Sequence, residues 1–268
     1  MFKEKFVYTT VYFMTAMLNR RAFLIFAKIV AILYYVIGVR SKSIVKSNLR
    51  NSHIKFSIKL YLNFAHFLAE CVFLMNNELD SDIFEVHNIE VFDRAIALGR
   101  GVMAMTMHMG GWDVAGQYLS YKGYPINVIY EPKDEWIYKY IDEIRRKYGI
   151  HFIDMKSPVW DFIKVLSKGE ILFVLIDQRS ENTHLKKVRF LNIVKNVPYG
   201  WYRLLKASKA AAIFSYTVYD HKDKKHHLYF ENAEDWSFED YYRRIEEIAN
   251  KDIYQYDFYD RIWQDISN

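Results

Sequence analysis

GVMAMTMHMGGWDVAGQYLSYKG, residues 101–123, changes its period at the centre, and the fold is read from that change. Val102–Met107 is an apolar run broken only by Thr106, as expected of a strand covered on both faces. Trp112–Lys122 reads as a helix closed by Gly123. Between them Gly110 and Gly111 make a tight turn that a side chain would obstruct. A strand that turns directly into a helix is half of a βαβ unit.

The alternation continues on both sides. Upstream, 84–101 reads as a short strand and a helix ending at Gly99. Downstream, PINVIYEP (125–132), IHFID (150–154) and ILFVLIDQ (171–178) read as strands. Helices closed by Gly149 and Gly169 separate them, the second with Pro158 near its first turn. After a polar loop, VPYGWYRLLKASK (197–209) reads as a helix, 211–220 with 225–232 as a hairpin, and 238–250 as a last helix. The pattern predicts an α/β fold with a mixed central sheet flanked by helices. A long helical stretch over about 42–77 would cover that body.

The amino-terminal segment has another texture. Of 37 Lys and Arg and 32 Asp and Glu, residues 1–60 hold eleven of the bases and Glu4 alone among the acids. Two apolar runs, 6–17 and 22–38, flank LNRR, and Lys28 interrupts the second. The second is marginal against the roughly 20 apolar residues a span needs, and basic residues on both sides give no orientation. No small-residue cleavage site follows, so a signal peptide is not expected. The expectation is a membrane-associated helical arm over 1–40, lying on an anionic surface, ahead of an α/β domain over 41–268. Bases interleaved with aliphatic runs do not form the polar stripe that nucleic acid needs, so no nucleic-acid partner is expected. The single Cys71 excludes an intrachain disulfide and reads as a small buried hydrophobe.

The turn also carries chemistry. His108 stands at the carboxyl end of a predicted strand, with Asp113 five residues on in the first helical turn. If Asp113 accepts from Nδ1–H, Nε2 is left as a proton acceptor, the geometry of a general base. Backbone amides around Gly110, Gly111 and Trp112 would hold an anionic oxygen. An ordinary strand-to-helix corner would have the same spacing.

HMGGWD, IYEP, IRRKYG, LIDQ, VRFLN and VPYGWYRLL, in that order, resemble the late acyltransferases of bacterial lipid A biosynthesis, within the lysophospholipid/glycerolipid acyltransferase superfamily. The resemblance implies His108 as general base and Asp113 as its orienting carboxylate. It implies substrate-side positions for Tyr130, Arg145, Asp177 and Gln178, beside Gly110 and Gly111, and a turn at Pro198 and Gly200. It implies an O-acyltransferase with no cofactor and no metal, acyl carrier protein or coenzyme A thioester as donor, and a membrane lipid as acceptor. It also implies a place on the cytoplasmic face of the bacterial inner membrane, peripheral or by a single span. Departures are Glu131 where relatives carry arginine, Arg179 after the Asp-Gln pair, and the ending DIYQYDFYDRIW. A fold kept without turnover, as an interaction module, a thioesterase-like hydrolase, and acylation of another polar lipid or phospholipid are the alternatives.

Three further groups stand out. His66 and Glu70, four apart, can meet on one helix face, as a structural pair or lining a lipid cleft. HKDKKHH (221–227) reads as a solvated turn rather than a metal site. Lys186, Lys187, Arg189 and Lys195 form a basic stretch, either a solvated loop or a dock for an acidic carrier protein or headgroup.

Overall fold

The computed structural model describes residues 2–49, 52, 54–74, 76–132, 136–178, 184–191 and 193–259. Arg179 and the tail beyond 259 lie outside them. In chain order the elements begin with α1 (Phe2–Met17), α2 (Arg20–Ile37), α3 (Val39–Leu49), α4 (Ile58–Phe73), β1 (Phe84–His87), α5 (Ile89–Ala97) and β2 (Val102–Thr106). The middle is α6 (Trp112–Tyr121), β3 (Ile126–Tyr130), α7 (Trp136–Lys147), β4 (His151–Asp154), α8 (Val159–Ser167) and β5 (Ile171–Leu175). The last third is β6 (Leu185–Phe190), β7 (Ile193–Pro198), α9 (Gly200–Ser208), β8 (Ala211–Asp220), β9 (Lys225–Asn232) and α10 (Phe238–Ala249).

Seven strands form one sheet in the order β1-β9-β8-β2-β5-β3-β4. All neighbours are parallel except the β8–β9 hairpin, so the sheet is mixed as expected. Side chains alternate across the pleat. Met103 and Met105, Leu172 and Val174, and Ala212 and Phe214 join one core with α8, α9 and α10. Val102 and Ala104, Ile171 and Phe173, and Ala211 and Ile213 join the other, with α4, α5, α6 and α7. That is why β2 reads as an unbroken apolar run: both of its faces are interior.

Two expectations are corrected. The stretch 42–77 is two helices, α3 and α4, and Ser57 starts the second by accepting from the Lys59 amide. Residues 185–198, read as a loop running into a helix, are instead the antiparallel β6–β7 hairpin, and the helix starts only at Gly200. Val188, Phe190, Ile193 and Val197 point inward while Lys187, Arg189 and Val194 point out. Lys187 and Arg189 on the outer face, and Lys195 on the inner one, hid a period of two. The arm is helical as expected, and α2 packs on α4 through Phe23 on Phe73 and Tyr35 on Tyr61. Among the described residues no single helix is long and apolar enough to cross a membrane.

Candidate active site

His108 and Asp177 meet because their strands are neighbours. β2 and β5 pair up to Thr106 and Leu175, and the Ile176 amide donates to the Thr106 carbonyl at 3.0 Å, carrying the ladder one residue further. Asp177 then arrives beside His108. Its Oδ1 lies 2.8 Å from His108 Nδ1, and its Oδ2 accepts the His108 amide at 2.9 Å and the Tyr256 hydroxyl at 2.5 Å. The carboxylate is 1% exposed and the imidazole 21%. Burial alone would push the Asp177 carboxyl up, but His108, the Tyr256 hydroxyl and the His108 amide hold it below the usual range. An ionised carboxylate on Nδ1 fixes the proton there and leaves Nε2 as the ring's proton acceptor.

The turn after His108 is closed by contacts that only glycine permits. Gly110 has φ 60°, and a Cβ there would lie 2.2 Å from the Thr217 carbonyl oxygen. A Cβ on Gly111 would lie 2.4 Å from His226 Nδ1. The segment 255–257 clamps the turn: the Gly110 amide donates to the Gln255 carbonyl at 3.1 Å, and the Asp257 amide to the His108 carbonyl at 2.9 Å. The Gly110 amide is therefore engaged and is not the anion donor expected of it. Trp112 stacks on Phe67 of α4 at 4.0 Å and stands edge-on to the His108 ring at 5.3 Å.

Asp113 does not orient His108; this corrects the expected pairing. It sits in the first turn of α6, 8% exposed, and takes the Arg145 guanidinium of α7 on both oxygens, Nε lying 2.9 and 3.0 Å away. The turn at Gly110 sends the two side chains apart, so nearness in sequence does not become contact. Arg145 also donates to Asp142 at 2.9 Å. Burial opposes its charge, but the two carboxylates hold it protonated, and they occupy the group expected to bind a substrate anion.

Tyr130 ends β3 at the same carboxyl end of the strands and packs tilted against Phe152, ring centroids 4.8 Å apart; burial and the Asp142 carboxylate push its phenol up. Gln178 reaches Asp257 at 3.5 Å, which ties the Asp-Gln pair to the clamp. Lys195, expected on a basic surface, is 2% exposed and donates to the Asp177 carbonyl at 2.8 Å. Lys186 is paired with Glu239 at 2.6 Å. Tyr256 and Lys195 were not anticipated here. Their signals, a tyrosine in an aromatic tail and a lysine at an inward position of an alternating run, mean little until the sheet order is known.

A narrow cleft opens beside the turn, lined by Phe64, Phe67, Gly110, Trp112, Tyr219, Tyr254 and Tyr256. His108 is not in its lining. His66 and His226 are, so His66 lines this cleft as well as facing Glu70 on α4. HKDKKHH divides: 221–224 is the hairpin turn, whereas His226 is buried in β9. Cys71 is buried, and burial pushes its thiol up, as a packing residue requires. A family model described as bacterial lipid A biosynthesis acyltransferase matches residues 3–255. No curated protein matches the chain.

Proposed function

The chain belongs to the bacterial lipid A biosynthesis acyltransferase family, and from that premise we propose that it moves a fatty acyl chain from a thioester to a hydroxyl of a lipid A precursor or related glycolipid. The observation that carries the reading is Asp177 on His108 Nδ1, 2.8 Å away and buried. His108 Nε2 takes the acceptor's hydroxyl proton as its oxygen attacks the thioester carbonyl carbon. Asp177 offsets the charge of the imidazolium. The tetrahedral intermediate collapses with cleavage of the C–S bond, and the departing sulfur takes the proton back from Nε2. The products are an ester and a free thiol, and His108 is neutral again. The developing oxyanion is assigned to amides of the first turn of α6 rather than to Gly110 or Arg145.

The arm supports a membrane-surface site. Ile25, Ile29, Leu33, Val36 and Ile37 leave much of α2 exposed and apolar, with Arg21 and Lys28 exposed on the same helix. Such a face enters the headgroup boundary while its bases meet anionic lipid. This favours peripheral attachment at the cytoplasmic face of the inner membrane, where both kinds of thioester donor are available.

The test is purified protein on vesicles carrying a lipid A precursor, with labelled acyl-carrier-protein and coenzyme A thioesters in separate arms. Acylated lipid is expected, and His108→Ala should lower its rate by about 10²–10⁴-fold. Free fatty acid as the main product would make the protein a hydrolase, and no turnover with either donor would make it an interaction module.

A further inference from the structure

A buried polar cluster behind the turn takes no part in the reaction above. His66 and Glu70 lie one turn apart on α4, and His226 faces them from β9. They are 5%, 2% and 0% exposed. Among the described residues, neither imidazole has a hydrogen-bond partner on either ring nitrogen. Leaving such a buried group unsatisfied is costly, and two of them share one place. Both rings turn toward one oxygen, Glu70 Oε1, which lies 3.5 Å from His66 Nε2 and 3.9 Å from His226 Nε2.

The chemistry of the three groups selects the occupant. Glu70 repels an anion. Both imidazoles are buried with Nε2 turned toward Glu70, and a neutral imidazole offers a lone pair there. One ligand atom from each residue lies within 4.8 Å of the others, a spacing that closes around an ion with bonds of about 2.0–2.2 Å after a small inward shift. Two imidazole nitrogens and a carboxylate oxygen suit a borderline divalent ion better than calcium or magnesium. We infer that His66, Glu70 and His226 bind one divalent transition-metal ion of the zinc or cobalt class.

This goes against the metal-free chain expected from the sequence, and it rests on these three residues, not on the proposed reaction. Arg20 donates to both Glu70 oxygens, at 3.0 Å to Oε2, and already balances that charge. The ion therefore needs a further anionic ligand such as hydroxide. His66 and His226 both line the cleft, which supplies that ligand. The ion staples α4 to β9, whose His226 ring packs on Gly111. Its role is to hold the turn that presents His108.

The test uses tag-free full-length protein in detergent, stripped with a chelator and titrated with Co²⁺ or Zn²⁺ alone. One tightly held equivalent is expected, with Co²⁺ giving the visible bands of a low-coordinate site and Zn²⁺ raising Tm by mass action. His66→Phe keeps an aromatic ring against Tyr219, now 4.1 Å from the imidazole, and removes the unsatisfied nitrogens. It should lose the equivalent and the Zn²⁺-dependent rise, while its metal-free Tm equals or exceeds that of the parent. Should His66→Phe fail to fold, Glu70→Gln should weaken binding at least about tenfold through its lost charge. The partly exposed groups Glu85–His87–His227 and Asp220–Asp223–His227 also gather ligand atoms, so His227→Asn is the control and should keep the tight equivalent. No equivalent on the parent chain, one that survives the loss of His66, or one lost in His227→Asn would each overturn the assignment.

Discussion

Asp177 is held by three donors and, among the described residues, no Lys or Arg touches its carboxylate oxygens, so each donor counts. Tyr256 is a positioning residue that acts on His108 through Asp177. Tyr256→Phe removes one bond to the charged form, so the Asp177 carboxyl rises toward its ordinary value and holds the imidazolium more firmly. We expect kcat to fall about tenfold, the worth of one such bond, and the acid limb of the kcat/KM profile to move to higher pH. A merely structural tyrosine would lower the yield of folded protein and leave that limb in place. Asp113 is separable from this set. Asp113→Asn leaves the Arg145 guanidinium with Asp142 alone and should cost about 3 kcal/mol of stability, read from urea unfolding. The enzyme that remains folded should keep the parent pH profile. The sequence made His108 legible because a polar residue ends an apolar run before paired glycines. It did not make the partner legible, since five residues of separation looked closer than sixty-nine, and only strand order reverses that ranking.

Elements with a single period were readable: β2, β5 and β8 are apolar on both faces because both faces are core. β6–β7 was not, because outward Lys187 and Arg189 interrupt the inward residues, and a lysine, Lys195, takes an inward place on the Asp177 carbonyl. The helix α4 carries a prediction in its buried pair. His66 stays neutral to about pH 3, against an ordinary value of 6.5. Below 6.5 the unfolded chain takes a proton that the folded one refuses, so stability falls as pH drops from 6.5 toward 3. Glu70 is held at about 2, where burial opposes but His226 and Arg20 prevail, against an ordinary 4.5. Its contribution is full above 4.5 and is lost toward 2. Chelated protein should therefore unfold at lower urea at pH 5 than at pH 7.5, and His66→Phe should show a smaller difference between the two. An equal difference in both proteins would remove His66 from this account.

At the scale of the molecule, the sheet presents His108 and Asp177 at the carboxyl ends of two central strands while α2, packed on α4, offers an apolar face to a surface. The division at residue 40 proposed from the sequence follows the end of the apolar run 22–38, whereas the excess of bases continues to residue 60. Ile25→Ser, Ile29→Ser and Leu33→Ser together remove three exposed apolar side chains without touching the α4 contact of Phe23. At about 2 kcal/mol for each fully buried side chain, and less for partial insertion, the triple variant should bind anionic vesicles at least about 100-fold more weakly in flotation. Its fold, read by circular dichroism, should be unchanged. Retained binding would place the membrane contact elsewhere.

The most direct measurement is the single-turnover rate of acyl transfer by folded Asp177→Asn, with saturating acyl thioester and lipid acceptor. A neutral amide cannot stabilise the imidazolium or fix the Nδ1 proton, so the rate should fall about 10²–10⁴-fold while lipid and donor still bind. A rate within a few-fold of the parent would contradict the account, and most plainly if Asp113→Asn, folded and assayed alongside, were the variant that lost the chemistry.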